Sequence, residues 1–277
     1  LALHPTMEDY FRAKRRLFEG ADGPRVVNVD DPYGRRLADE LGDAVTFAID
    51  TEADYRAVDL SSGYAGSAFT ARTPEGPFDV RMPLPGRFNV FNALAALATA
   101  RALGVELAAA VRGLEGAERV PGRFEPIDEG QPFVVLVDYA HTPDSLENVL
   151  RAARELGPGR VICVFGAGGD RDRGKRPLMG AVVARTADVA IATSDNPRSE
   201  DPEAILDQIE AGMEAAHERE VDRRAAIARA VRLAEPGDVV VIAGKGHEHG
   251  QEFADGRREP FDDRVVAAEA LRLAWTR

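Results

Sequence analysis

The sequence has 277 residues, 44% apolar and 30% charged, and a formal net charge of −12. That length holds two modest domains, no apolar run reaches membrane-spanning length, and the acidic balance excludes general binding to nucleic acid or to an anionic membrane surface. The lone cysteine, Cys163 within VICVF, excludes an internal disulfide and fits a reducing, cytoplasmic compartment.

The chain opens on LALHP, without Met, which points to a piece of a longer protein. MEDYFRAKRRLFEG (7–20) predicts an amphipathic helix with Tyr10, Lys14 and Leu17 near one face. RVVNVD (25–30) predicts a strand, followed by a helix to about Leu41. GSAFTARTPEGPFDVRMPL (66–84) predicts a β-hairpin turning at TPEG. NVFNALAALATARALG (89–104) predicts a strong helix stopped by Gly104, and a second helix runs to about Leu114. ERVPGRFEPIDEG (118–130), rich in Pro and Gly, marks a domain boundary, giving domains over 1–118 and 119–277.

Beyond that boundary strands and helices alternate. Strands are expected at 133–138, 161–165, 189–193 and 238–243. Helices are expected from Pro143 to about Glu155, from about Lys175, after SDNPRSEDP, near 223–234 and from about Asp262. The alternation predicts an α/β fold with a parallel, Rossmann-like, doubly wound sheet. The polar clusters DYAHTPD, GAGGDRDRGK, SDNPRSEDP and GKGHE each follow a strand, at the sheet edge where ligands bind in open α/β folds. Four such loops at one edge predict one site.

GAGGDRDRGKRPLMG (166–180) contains G-x-x-x-x-G-K, but Arg176 stands where a phosphate loop needs a magnesium-binding hydroxyl, and Asp170 and Asp172 would repel phosphates. The phosphate-loop reading is rejected, leaving a flexible turn that presents Arg171, Lys175 and Arg176. In AGKGHE the glycines allow close backbone approach, and Glu248 can accept from an ammonium. His247 and His249 lack a third ligand at zinc spacing. Asp138 ends a strand, and His141 reads as a loop histidine bonded to backbone. Cys163 reads as core. Asn89 and Asn92, at i and i+3, share a helix face and read as a pair able to hold a base or phosphate.

These pieces together resemble the Mur ligases, and among them the diaminopimelate-adding branch. The resemblance runs through MEDYFRAK, GRFNVFNALAALA, VPGRFE, VDYAHTPDSLENVL, VFGAGGDRDRGKRPLMG, SDNPRSEDP and AGKGHE, spanning nearly the whole chain in the family's order. It implies part of a central ATPase α/β domain, then a complete C-terminal domain. It implies ATP and Mg²⁺ as cofactors, with UDP-MurNAc-L-Ala-D-Glu and meso-diaminopimelate as substrates, no nucleic-acid or membrane partner, and a monomer. DNPR matches the diaminopimelate signature, so Arg198 and Arg171 would grip carboxylate. Asp195, Asn196 and Glu248 would receive the amino group, with Pro197 also in contact with the substrate and Gly244 offering backbone. Lys14 would be the carbamylated lysine, an anionic oxygen ligand for magnesium. Asn89, Asn92, Arg123, Asp138 and His141 would reach ATP, with closure hinged near 115–124. The family's Gly-Lys-Thr/Ser loop and its magnesium-binding Glu and His find no match, so the chain alone is expected to make no tripeptide. Two other readings stay open: an amino-acid-binding module without turnover, and a related ligase adding L-lysine to the same precursor or glutamate to folate. A side chain ending only in an amine would leave Arg198 without a carboxylate partner.

Overall fold

The computed structural model describes His4 and residues 6–20 and 22–275. Residues 1–3, part of the opening LALHP, lie outside it. The chain divides into two compact units, Leu1–Glu118 and Arg119–Arg277.

The first unit begins with α1 (Met7–Arg15), started by Thr6, whose hydroxyl accepts from the Asp9 N–H. The helix ends earlier than its pattern suggests, passing into a single 3₁₀ turn over Arg16–Phe18. Strand β1 (Val26–Asn28) leads to α2 (Pro32–Leu41), capped by Asp31 with Pro at its first turn. Strands β2 (Val45–Ala48), β3 (Tyr55–Gly63), β4 (Gly66–Thr73) and β5 (Gly76–Met82) complete a sheet of order β1-β2-β3-β4-β5. The β4–β5 hairpin turns at TPEG as predicted, with Thr73 paired to Gly76. Helices α3 (Arg87–Ala102) and α4 (Leu107–Glu115) follow. Val90, Leu94, Leu97 and Val111 of these helices pack with Phe47, Tyr55, Phe69 and Val80 of the sheet.

The second unit carries a six-stranded sheet of order β10-β9-β8-β11-β7-β6. Its strands are β6 (Glu125–Pro126), β7 (Val134–Asp138), β8 (Val161–Phe165), β9 (Val189–Ala192), β10 (Glu218–Arg219) and β11 (Val239–Ala243). All neighbours are parallel except β6, which runs antiparallel to β7. The connecting helices are α5 (Pro143–Arg154), α6 (Lys175–Thr186), α7 (Pro202–Glu210) and α8 (Arg223–Leu233). A short hairpin, β12 (Gly250–Glu252) and β13 (Arg258–Pro260), precedes α9 (Asp263–Trp275).

Side chains alternate across the central strands, as the two-residue period requires. Val135, Val137, Ile162, Val164, Ile191, Val240 and Ile242 pack with α8 and α9. The alternate residues, including Leu136, Cys163 and Val241, are equally buried and face the side where α5, α6 and α7 pack on one another. Two covered faces explain the continuous apolar runs. The α/β, doubly wound expectation holds. Cys163 is core, and burial pushes its thiol well above the ordinary value.

Candidate functional site

The C-terminal ends of β7, β8, β9 and β11 bring four loops together. The Gly244 N–H donates to the Asp138 carbonyl (3.0 Å), and the Gly169 N–H donates to the Asn196 carbonyl (2.8 Å). Lys175 Nζ donates to the His141 carbonyl at 2.9 Å. Burial pulls the Lys175 ammonium below its ordinary value, against the opposing pull of Asp195 and Asp172.

At the centre lies Lys245, wholly buried although it carries a charge. Its Nζ donates to Asn196 Oδ1 (2.7 Å) and Glu248 Oε2 (3.2 Å), and lies 3.9 Å from Asp195 Oδ1. Asn196 Nδ2 donates to Glu248 Oε2 at 2.8 Å, and Asn196 Oδ1 also accepts from the Glu252 N–H at 3.0 Å. Burial pushes the Glu248 carboxyl up, but Asn196 and Lys245 outweigh it and hold the group below its ordinary value. Asp195 is buried, yet among the described residues its carboxylate accepts no hydrogen bond. Gly244, at φ 125°, passes so close that a Cβ there would sit 2.6 Å from Asp195 Oδ2. The Asp195 carboxylate and the second oxygen of Glu248 remain available to accept from an ammonium.

Arg198 stands beside it in the left-handed region, at φ 53°. Its backbone N–H donates to the Glu252 carbonyl at 3.0 Å, which helps hold that conformation. Its side chain bonds Glu252 Oε2 through Nε and the Gly169 carbonyl through one terminal nitrogen, both at 2.9 Å. Arg171 is exposed and, among the described residues, bonds only the carbonyl of its neighbour Asp170. The cluster therefore has an anionic corner next to guanidinium groups, an arrangement that fits a zwitterionic end.

The glycine-rich loop is not the flexible turn its composition suggests. Asp170 accepts from the Ser199 hydroxyl (2.6 Å) and N–H (3.2 Å). Arg176, expected to be presented to solvent, is wholly buried. Its guanidinium reaches Glu200 (2.9 and 3.0 Å), Gln208 (2.8 Å) and the Gly168 carbonyl (3.1 Å). Glu200 supplies the counter-charge that makes the burial tolerable. Behind the site, Arg223 and Asp263 form a wholly buried ion pair at 2.7 Å, and Arg223 also donates to the Ala243 carbonyl.

The other candidates occupy different surroundings. Asp138 accepts from the Phe124 and Ala140 N–H groups, both at 2.7 Å, so its carboxylate ties down the VPGRFE segment. Burial raises its carboxyl above the ordinary value, against those bonds and Arg123. The Arg123 guanidinium lies 4.5 Å from the centre of the Tyr139 ring. His141 Nδ1 pairs with the Tyr139 carbonyl at 2.8 Å, the backbone-bonded histidine expected. The Pro197 carbonyl accepts from the Glu200 N–H at 3.0 Å.

In the first unit, Asn89 Nδ2 donates to the Pro85 carbonyl (2.8 Å), and Asn92 Nδ2 lies 3.4 Å from Asn89 Oδ1, so the pair shares one face of α3. Lys14 is exposed, its Nζ 5.5 Å from the centre of the Tyr10 ring one turn earlier. Among the described residues no cluster of three or more His, Cys, Asp or Glu is arranged to hold a metal. No helix among them is long and apolar enough to cross a membrane.

Sequence reasoning named Asp195, Asn196, Arg198, Gly244 and Glu248, and the fold gathers them. It passed over Lys245, Glu252 and the Arg223–Asp263 pair. The one signal for Lys245 was its position, directly after five apolar residues and between two glycines.

The Mur ligase middle-domain family matches residues 1–100, and the Mur ligase glutamate-ligase-domain family matches residues 122–246. The chain belongs to the Mur ligase family. Among curated relatives of this family it is 48% identical over 280 residues to the UDP-N-acetylmuramoyl-L-alanyl-D-glutamate–2,6-diaminopimelate ligase of Solibacter usitatus. It is 50% identical over 284 residues to the ligase of the same name from Streptomyces coelicolor. Each match covers 98% of this chain and 56% of the relative, so the chain spans little more than half their length. A solved structure with that ligase name superposes with a TM-score of 0.63 at 39% identity, covering 98% of this chain and 57% of the other.

Proposed function

We propose that this chain serves an ATP-dependent ligase of peptidoglycan precursor synthesis, in the cytoplasm, adding meso-diaminopimelate to UDP-MurNAc-L-Ala-D-Glu. The observation that carries the reading is the side-by-side placement of Arg198 and the Asp195–Asn196–Glu248 corner. A diaminopimelate end carries both a carboxylate and an ammonium, and the two poles match. The high identity to ligases bearing that substrate in their names supports the choice over an amine-only side chain. Here the fork of Arg198 takes the carboxylate, with Arg171 near enough in the loop to assist. Asp195 and the free oxygen of Glu248 accept from the ammonium.

Holding the far end leaves the other amine free to attack. In the proposed reaction ATP transfers its γ-phosphoryl group to the D-Glu carboxylate. The free amine attacks the resulting acyl phosphate through a tetrahedral intermediate, phosphate leaves with the C–O bonding pair, and the amine sheds its proton as the amide forms. Asn89, Asn92, Arg123, Asp138 and His141 are assigned to ATP contact, and Lys14, as its carbamate, to an oxygen ligand for magnesium. The protein's contribution is positioning and charge stabilisation.

The test is calorimetric titration of the 277-residue chain with meso-diaminopimelate, L-lysine and ATP. Arg198→Ala should weaken diaminopimelate binding about tenfold to a hundredfold, the worth of a charge-assisted bond, and leave ATP affinity unchanged. An equal loss for ATP, or stronger binding of lysine than of diaminopimelate to the unaltered chain, would sink the assignment.

A further inference from the structure

We infer that the Glu252 carboxylate is an exchangeable internal occupant of the carboxylate site at Arg198, and that its displacement sets selectivity for ligands bearing a carboxylate. The inference rests on the proposed role of Arg198.

A guanidinium offers a carboxylate two flat edges, each with two parallel N–H donors. On Arg198 the edge containing Nε is already half used, committed to Glu252 Oε2 at 2.9 Å, while Nη1 donates to the Gly169 carbonyl at 2.9 Å. A ligand carboxylate can take the two parallel bonds of the Nε edge only if Glu252 leaves.

Gly169 cannot leave. Its N–H is tied to the Asn196 carbonyl at 2.8 Å, and it packs so tightly that a Cβ would collide with the Pro197 carbonyl. Glu252 can leave. Its side chain is 45% exposed, and it lines a pocket of about 360 Å³ together with Arg198, Arg257 and Arg258. The backbone of Glu252 is held separately, its N–H by Asn196 Oδ1 and its carbonyl by the Arg198 N–H, each at 3.0 Å. The carboxylate can therefore swing away while β12 and the Arg198 backbone stay in place.

The exchange has a direction. A ligand ending in a carboxylate replaces one anion with another on the same guanidinium, and the freed Glu252 carboxylate turns into a pocket edged by two further arginines. A ligand ending only in an ammonium cannot displace Glu252, so Arg198 stays paired and contributes nothing to it. Selectivity for the carboxylate thus does not require an unpaired arginine in the empty site.

The experiment compares the 277-residue chain with its Glu252→Gln variant, which keeps side-chain length and both backbone anchors. Phenylglyoxal labelling of Arg198, followed by peptide mass spectrometry, reads the latch without any ligand. Labelling should be faster in the variant by about twofold to fivefold, the range for a partly exposed ion pair. Equal or slower labelling overturns the inference. Calorimetry should show meso-diaminopimelate bound more tightly by the variant by a similar factor, and L-lysine no more tightly. No gain for diaminopimelate, or the same gain for lysine, also overturns it. An unaltered chain that binds no diaminopimelate defeats the proposed function instead, and the labelling comparison still decides the latch.

Discussion

Two lysines, Lys14 in the first unit and Lys245 in the second, sit at opposite extremes. Lys245 is wholly buried among Asn196, Glu248 and Asp195, so its position is fixed before any ligand arrives. Lys14 stands exposed on α1, its Nζ 5.5 Å from the centre of the Tyr10 ring. A buried charge needs partners throughout, because removing it from water is costly. An exposed one needs none, and its chemistry depends on what binds to it. On the proposed reading the β9 and β11 loops are accordingly a preorganised receptor, whereas α1 presents its lysine to solvent.

The largest effect should come from behind the receptor. Asp263→Asn removes the one carboxylate hydrogen-bonded to the buried Arg223 among the described residues, and losing one partner of such a pair costs about 3–5 kcal/mol. Arg223 also donates to the Ala243 carbonyl at the end of β11, so the receptor should loosen with the unit. Urea unfolding followed by tryptophan-independent circular dichroism measures it. A loss below about 1 kcal/mol would show that the pair is not what supports this edge.

Lys245→Met comes next. It deletes the cation between Asp195 and Glu248 and the ammonium that bonds Asn196 and Glu248. We expect a stability loss of about 2–4 kcal/mol and loss of diaminopimelate binding. Full binding by a folded Lys245→Met variant would contradict a preorganised anionic corner.

Much of this receptor was legible in sequence, for a physical reason. Central strands covered on both faces read as continuous apolar runs, so FVVLVD, VICVF, VAIAT and DVVVIA announced themselves and placed the polar clusters at their ends. Short or irregular elements did not. β3 changes register between Val58 and Ser61, with Asp59 at φ 53°, which breaks its alternation. β12 and β13 are three residues each, and β13 is charged and ends in Pro. The burial of Lys245 and Arg176 was invisible because their partners are remote in sequence. Asn196 lies 49 residues before Lys245, and Glu200 lies 24 after Arg176. Local composition cannot report a charge balance assembled by the fold.

The lacing of the glycine-rich loop gives a pH test. Arg176 holds the Glu200 carboxyl down at about 2, from an ordinary 4.5. A depressed carboxyl stabilises the fold fully above its unfolded value, and that contribution is lost as pH falls through the folded one. The melting-temperature advantage of the unaltered chain over Glu200→Gln should be constant above about pH 5 and shrink steadily from about pH 4.5 towards pH 2. A gap that ignores pH across that window would mean that the Glu200 charge is not what closes the loop.

The smallest effect belongs to Lys14. Lys14→Ala removes a cation near a ring, worth about 0.5–1 kcal/mol at exposed sites when close, but here the separation is 5.5 Å. It also removes a positive charge from the last turn of α1, where the helix dipole favours one. Against both, alanine is the better helix former by a few tenths of a kcal/mol. The terms nearly cancel, so the melting curve should shift by less than about 0.5 kcal/mol in stability. A larger loss would place Lys14 in the packing of the unit and erase the contrast with Lys245. The chemical half of the contrast has its own readout. In a sample equilibrated with ¹³C-bicarbonate, a carbamate carbon signal present in the unaltered chain and absent in a fully folded Lys14→Ala variant would assign the modification to this side chain. A signal that survives the substitution would assign it elsewhere, and α1 would then present an ordinary surface lysine.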